Sequence, residues 1–150
     1  MQTIGMLQKI LQIDSSPLYR NSGKGIYRNG YYRCPTHIFA IDIDGHAVGG
    51  IGIHSQSDIF RKNAELGYWL AEPYWGQKII TRAVKEIVDF AFATYDINRV
   101  FARPFGTNIA SQKVLEKNNF ILEAKLEKVL IKNDEYLDEL IYAVRRENWK

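Results

Sequence analysis

The fold turns on one stretch, Ala64-Glu-Leu-Gly-Tyr-Trp-Leu-Ala-Glu-Pro-Tyr-Trp-Gly-Gln-Lys-Ile-Ile-Thr-Arg-Ala-Val-Lys-Glu-Ile-Val-Asp-Phe-Ala-Phe92. Its first eight residues alternate well enough to form a strand, with Gly67 at a position where glycine marks a bulge or a close approach to the backbone. Pro73 and Gly76 then turn the chain. From there Ile79, Ile80, Ala83, Val84, Ile87, Val88 and Ala91 recur at the three-and-four spacing of a helix that buries one face, and Arg82, Lys85, Glu86 and Asp89 fall on the other. A helix start holds free backbone N–H groups at the positive end of its dipole, which suits an anion such as a pyrophosphate. Taken alone this signal is unspecific, because many helices begin after a glycine.

Working outward, His37 to Ile43 is strand-like, Asp44-Gly45 is a hairpin signal, and Ala47 to Ile53 returns as the partner strand. Downstream come a short strand Arg99 to Arg103, a turn with Pro104 and Gly106, and a second helix over 108–117. Asn119 stands where a helix ends in a left-handed residue. Phe120 to Arg145 reads as two long strands around Lys132-Asn-Asp-Glu135. The order β-β-β-α-β-α-β-β predicts an α/β fold, a mixed sheet with helices on its faces. Before it lie a short amphipathic start, Ile4 to Ile13, and an irregular segment, Asp14 to Gly30.

A chain of 150 residues, 46% hydrophobic, suggests a single domain over 1–150. One cysteine, Cys34, excludes an internal disulfide framework, and no Cys/His cluster has zinc spacing, so no metal is expected and a reducing, cytoplasmic setting fits. No membrane span or secretory signal is legible. The net charge of +3 is mild for a nucleic-acid binder. The basic residues Arg20, Lys24, Arg28 and Arg33 read more simply as a solvated loop than as a phosphate site. No Gly-x-x-x-x-Gly-Lys-Ser/Thr or Gly-x-Gly-x-x-Gly string is present, which counts against nucleotide hydrolysis and dinucleotide binding. Cys34 has no evident activating partner for a nucleophilic role.

Four segments in order carry a resemblance: Ala64-Glu-Leu-Gly-Tyr-Trp-Leu-Ala71, Tyr74-Trp-Gly-Gln-Lys-Ile-Ile-Thr81, Asn98-Arg-Val-Phe-Ala-Arg103 and Asn108-Ile-Ala-Ser-Gln-Lys-Val-Leu-Glu-Lys-Asn-Asn-Phe120. With the closing hairpin they span 36–149. The chain resembles the GNAT superfamily of N-acetyltransferases, in the branch acting on ribosomal-protein N-termini and related amines. The resemblance implies that the strand holding Glu65 to Leu70 splays from the strand holding Arg99 to Arg103, with acetyl-CoA in the gap. It implies that main-chain groups near Trp69, Leu70 and Ala71 pair with the pantetheine arm, and that amides from Gly76, Gln77, Lys78, Ile79, Ile80 and Thr81 hold the pyrophosphate.

The implied reaction is direct attack of a primary amine, on a protein N-terminus or a small molecule, at the thioester. It needs a proton acceptor, an oxyanion donor and a proton for the sulfur. Glu65, which matches a strand position that is acidic and catalytic in some relatives, is the favoured base; a solvent-facing or ion-paired strand carboxylate is an equally open reading. Glu72 is a poorer choice, and His54 reads more simply as a turn histidine. An amide from Trp69 or Leu70 would serve the oxyanion. Asn108 and Ser111 match positions near the pantetheine and the sulfur. Asn108 equally suits a helix N-cap, and Ser111 is the local acid candidate because the position of the family's tyrosine is Leu115. Homodimers occur among such relatives.

Two departures stand against the pattern. Lys78 replaces a small residue of the loop: with ordinary helical dihedrals its amide survives and its ammonium favours phosphate, whereas a need for positive φ, or lack of room for a side chain, weakens binding. Met1 to Gly30 shows no opening strand, and with residues 1–35 atypical of the family the N-terminal part reads as shortened. These departures keep open a rival reading, a non-catalytic relative that binds CoA or another protein.

Overall fold

The computed structural model describes residues 10–12 and 36–150. Its centre is a seven-stranded sheet in the order β1-β2-β3-β4-β5-β7-β6. The strands are β1 (Ile10–Gln12), β2 (Thr36–Ile43), β3 (His46–Ser55), β4 (Asn63–Leu70), β5 (Arg99–Ala102), β6 (Ile121–Lys132) and β7 (Glu135–Arg145). Two helices lie between them, α1 (Ile79–Thr94) and α2 (Ile109–Lys117). The expected order is therefore present, with one strand added in front. β1 pairs antiparallel with β2, which corrects the expectation that no opening strand precedes Thr36. Three residues are too few for a period of two to be read. The rest of the amphipathic start, the segment Asp14 to Gly30, the basic residues Arg20 to Arg33 and Cys34 lie outside the described residues.

Turn chemistry sets the registers. Asp44 and Gly45 both take positive φ, 53° and 83°, and so do Asn133 and Asp134, 51° and 61°. Such pairs match the twist of two-residue hairpins, and asparagine, aspartate and glycine tolerate them best. Asn119 is left-handed at φ 61°, as expected. The Phe120 N–H reaches Leu115 O at 3.0 Å and the Asn119 N–H reaches Glu116 O at 3.0 Å, so two orphan carbonyls at the end of α2 are satisfied.

α1 buries Ile80, Ala83, Val84, Ile87, Val88, Ala91 and Phe92 against Ile51 and Ile53 of β3, Ala64 and Leu66 of β4 and Val100 of β5. Leu115 of α2 and Tyr142 and Val144 of β7 join the same core. On β4 the alternation is strict: Ala64 and Leu66 are buried on this face, while Glu65 and Trp69 belong to the other. Fully burying a valine or isoleucine is worth about 1.5–3 kcal/mol, so this one cluster holds both helices on the sheet.

Candidate functional site

The site forms where β4 outruns its neighbour. β4 and β5 run parallel but pair only at Asn63 with Arg99, Ala64 with Val100 and Glu65 with Phe101. β4 continues to Leu70, leaving its last residues without β5 beside them. The gap opens into a cavity of about 500 Å³ lined by Tyr68, Trp69 and Leu70 of β4, the turn and first residues of α1, and Asn108, Ser111 and Val114 around α2. A volume of a few hundred Å³ suits a bound small molecule.

Three features of this cavity are polar and directional. First, the Arg82 N–H bonds to Lys78 O at 3.1 Å, so the amides of Ile79, Ile80 and Thr81 precede the first intrahelical bond. The N-cap residue Lys78 supplies no side-chain acceptor for them, and all three residues line the cavity. They point from the positive end of a 16-residue helix. Gly76 and Lys78 carry φ of 75° and 61°, and this backbone sets the loop away from the helix start. For a lysine that conformation costs roughly 1–2 kcal/mol. A positive φ here is the case in which the sequence leads to the expectation that Lys78 weakens binding at the loop, and the structure has that φ.

Second, the free edge of β4 is polar backbone. The Ala71 N–H donates to Val48 O at 2.8 Å, and antiparallel alternation then turns the peptide groups of Leu70 away from β3 and into the gap. Leu70 O already accepts the Trp75 indole N–H at 2.8 Å. Leu70, like Tyr68 two residues earlier, thus turns its main chain to the cavity side, whereas Trp69 is paired with Gly50 and Ala71 lies outside the lining. The Trp69 indole occupies the space over Gly50, where a Cβ would stand 2.7 Å from its Nε1. The close approach is there and not at Gly67, which pairs regularly with Gly52 and has open space above it.

Third, α2 brings polar groups to the opposite wall. Asn108 Oδ1 accepts the Ser111 N–H at 3.1 Å, an N-cap. The Tyr68 hydroxyl crosses from β4 to donate to Ser111 O at 3.3 Å, and burial pushes its phenol above the ordinary tyrosine range. Tyr68 therefore stays protonated at neutral pH. From the sequence Tyr68 reads as a residue that packs or lines the cleft and does not react; the signal for more was its place one residue before Trp69, on the alternate face of the strand.

Of the candidates from sequence, Trp69, Leu70, Gly76, Lys78, Ile79, Ile80, Thr81, Asn108 and Ser111 meet around this cavity. Gln77 lies outside the lining, its side chain donating to Pro73 O at 3.3 Å. Glu65 is outside it too, on the other face of the sheet. Its carboxylate takes a forked pair of bonds from Arg103, Nε to Oε1 at 2.9 Å and an Nη to Oε2 at 3.3 Å, and this partner raises the Arg103 pKa. Glu139 stands 3.7 Å from the same guanidinium. His54 is directly opposite Glu65 across β3 and β4. Leu115 is fully buried in the core. Among the described residues no cluster of three or more His, Cys, Asp or Glu side chains could hold a metal ion, and no helix is long and apolar enough to cross a membrane.

Comparison with known proteins shows the family of the domain. Residues 17–121 match the family model described as an acetyltransferase (GNAT) domain. YdaF of Bacillus subtilis (strain 168) is 33% identical over 107 residues, which cover 71% of this chain and 58% of that protein. The ribosomal-protein-serine acetyltransferase of Escherichia coli (strain K12) is 30% identical over 118 residues, 79% of this chain and 63% of its own. The structure of Mycobacterium smegmatis RimJ in complex with CoA-disulfide superposes with a TM-score of 0.67 at 28% identity, covering 75% of this chain and 54% of that one. The matched region is thus only about three-fifths of the length of the curated relatives.

Proposed function

Because the chain belongs to the acetyltransferase (GNAT) domain family, we propose that it transfers an acetyl group from acetyl-CoA to a primary amine, a protein N-terminus or a small molecule. The observation that carries this reading is the set of three uncapped amides at the start of α1, opening onto a cavity of about 500 Å³ between splayed strands. A pyrophosphate fits such a helix start by charge and by hydrogen bonding. Ile79, Ile80 and Thr81 would donate to it, and the left-handed Gly76 and Lys78 would keep the loop clear, with the Lys78 ammonium adding positive charge. The pantetheine arm would lie along Leu70 as an added strand, sharing or displacing the Trp75 bond at the Leu70 carbonyl.

The chain's own groups divide the proton traffic. A neutral amine forms a C–N bond to the thioester carbonyl carbon as the C–S bond breaks, so one proton leaves nitrogen and one reaches sulfur. The Leu70 N–H is the oxyanion donor of this reading. The Ser111 hydroxyl and the Tyr68 phenol, on facing walls of the cavity, are the candidate proton sources for sulfur. Glu65 is the proposed proton acceptor, its carboxylate oriented by Arg103. It sits three residues before Tyr68, about 10 Å along a strand, so the proton travels by way of the acceptor or an intervening polar group. His54, opposite Glu65, is placed to share that role. A cytoplasmic location belongs to the same reading and rests on the single cysteine.

Calorimetric titration of the chain with acetyl-CoA, followed by an amine-acceptor screen, tests the proposal. One-site binding and turnover that falls at least about a hundredfold in Glu65→Gln are expected. Binding without turnover of any amine would leave a CoA-binding module, and no binding at all would remove the proposal.

A further inference from the structure

Among the described residues, Asn118 is the one buried residue whose side chain is polar and not aromatic; it is 5% exposed. Burying an amide costs free energy unless its hydrogens find acceptors. The Asn118 Nδ2 has two hydrogens to place. One goes to Val114 O at 2.9 Å, on its own helix, and the other crosses to Thr81 O at 3.1 Å, in the first turn of α1. Thr81 and Val114 both line the cavity, one on each wall. A single amide nitrogen therefore ties the two walls together.

Ending α2 asks for less than this. A helix end needs its own last carbonyls satisfied, and the bond to Val114 O does that. The bond to Thr81 joins residues 37 positions apart. Nor is an amide required to fill the space. Its neighbours Leu115 and Phe120 are buried and apolar, and an apolar side chain beside them would gain from burial with no polar group to satisfy.

What apolar packing lacks is direction. Contacts such as those of Leu115 change little when a helix turns or slides slightly, whereas a hydrogen bond weakens steeply with length and angle. The other polar side chains of α2 reach elsewhere: Gln112 Nε2 donates to Gly106 O at 3.0 Å in the loop before the helix, and Glu116 Oε1 accepts the Tyr142 hydroxyl of β7 at 3.0 Å. The Asn118 amide is what fixes the end of α2 against the start of α1.

We infer, on the strength of the proposed acetyl-CoA binding, that Asn118 is a positioning residue for the cofactor. It sets the spacing between the amides of Ile79, Ile80 and Thr81 on α1 and the Ser111 hydroxyl on α2. One ligand spans both walls, with its pyrophosphate on the α1 amides and its thioester sulfur near Ser111. A ligand held at both ends feels that spacing, and a ligand held at α1 alone does not.

Asn118→Ala removes both donors, and calorimetry with two probes reads the result. Acetyl-CoA affinity should fall by about tenfold, the order of one hydrogen bond. The probe 3′-phospho-ADP, the nucleotide half of CoA without its pantetheine arm, should bind within about twofold of its native affinity. Val88→Ala, in the core and outside the cavity lining, is the control for lost stability: its urea midpoint should drop while its acetyl-CoA affinity stays native. Should Asn118→Ala fail to fold, Asn118→Leu removes the same donors and fills the space. An Asn118 variant that binds acetyl-CoA as the native chain does overturns the inference and leaves cofactor binding standing. So does equal loss for the two probes, or an equal loss of acetyl-CoA affinity in Val88→Ala. A native chain that binds no acetyl-CoA removes the reading beneath the inference, and the inference with it.

Discussion

The two helices start on the same cavity and start differently. α2 is completed from within, since the Asn108 side chain accepts the Ser111 N–H. At α1 the cap residue is a left-handed lysine with no acceptor to offer, and the amides of Ile79, Ile80 and Thr81 are left to whatever enters the cavity. The usual remedy, an Asn, Asp, Ser or Thr at the N-cap, contributes about 1 kcal/mol. Its use at one end and its absence at the other teach that the two starts serve different ends. On the proposed reading the α2 start is architecture that frames the cavity, and the α1 start is the binding element.

The sharpest way to break this contrast is to put a negative charge in front of α1. Gly76→Glu adds a carboxylate beside the proposed pyrophosphate position and places a side chain at φ 75°. Acetyl-CoA affinity should fall about a hundredfold or more, like-charge contact being worth several kcal/mol, as measured by calorimetry. Asn108→Ala should do the reverse, lowering stability by about 1 kcal/mol in urea unfolding while leaving affinity within about threefold. If the two variants exchanged these effects, the roles assigned to the helix starts would be reversed.

Lys78→Gly separates strain from charge. Glycine takes the left-handed conformation without a Cβ penalty, so the folded state should gain up to about 1 kcal/mol in the same unfolding assay. Affinity should drop by less than about tenfold if the amides carry the binding; a complete loss would mean that the ammonium does. The smallest effect concerns Tyr68. Its folded pKa is raised above the ordinary 10.0 by burial, so the unfolded chain loses this proton first as pH rises. The contribution is complete below pH 10 and is lost as pH climbs through the higher folded value. Urea midpoints should therefore fall between neutral pH and pH 11, and less steeply in Tyr68→Phe. Equal slopes would show that the phenol titrates alike in both states.

Much of this contrast was legible before the fold was known, and the reasons are physical. The period of α1, the Asp44-Gly45 hairpin and the left-handed Asn119 all depend on local chemistry, which a sequence displays directly. The turn ahead of α1, proposed here to hold a pyrophosphate, was legible through Gly76 and the helix that follows. What stayed hidden depends on register and on contacts between distant residues. β1 is too short to show its period. The fork between Glu65 and Arg103 joins β4 to the residue just past the end of β5, 38 positions away, and neither residue announces the other. That Leu70, and not Trp69 or Ala71, turns its main chain into the gap follows from where the β3–β4 bonds fall. Lys78 was visible as an anomaly, but lysine is not a residue from which a left-handed φ is inferred.

The central claim is that the open amides of α1 hold the ligand. Amide hydrogen exchange, with and without acetyl-CoA, reads those groups individually and measures Ser111 in the same spectrum. Ligand should slow exchange at Ile79, Ile80 and Thr81 in proportion to occupancy, while the already capped Ser111 N–H changes little. Saturating binding that leaves those three amides exchanging as fast as in the free chain would contradict the account.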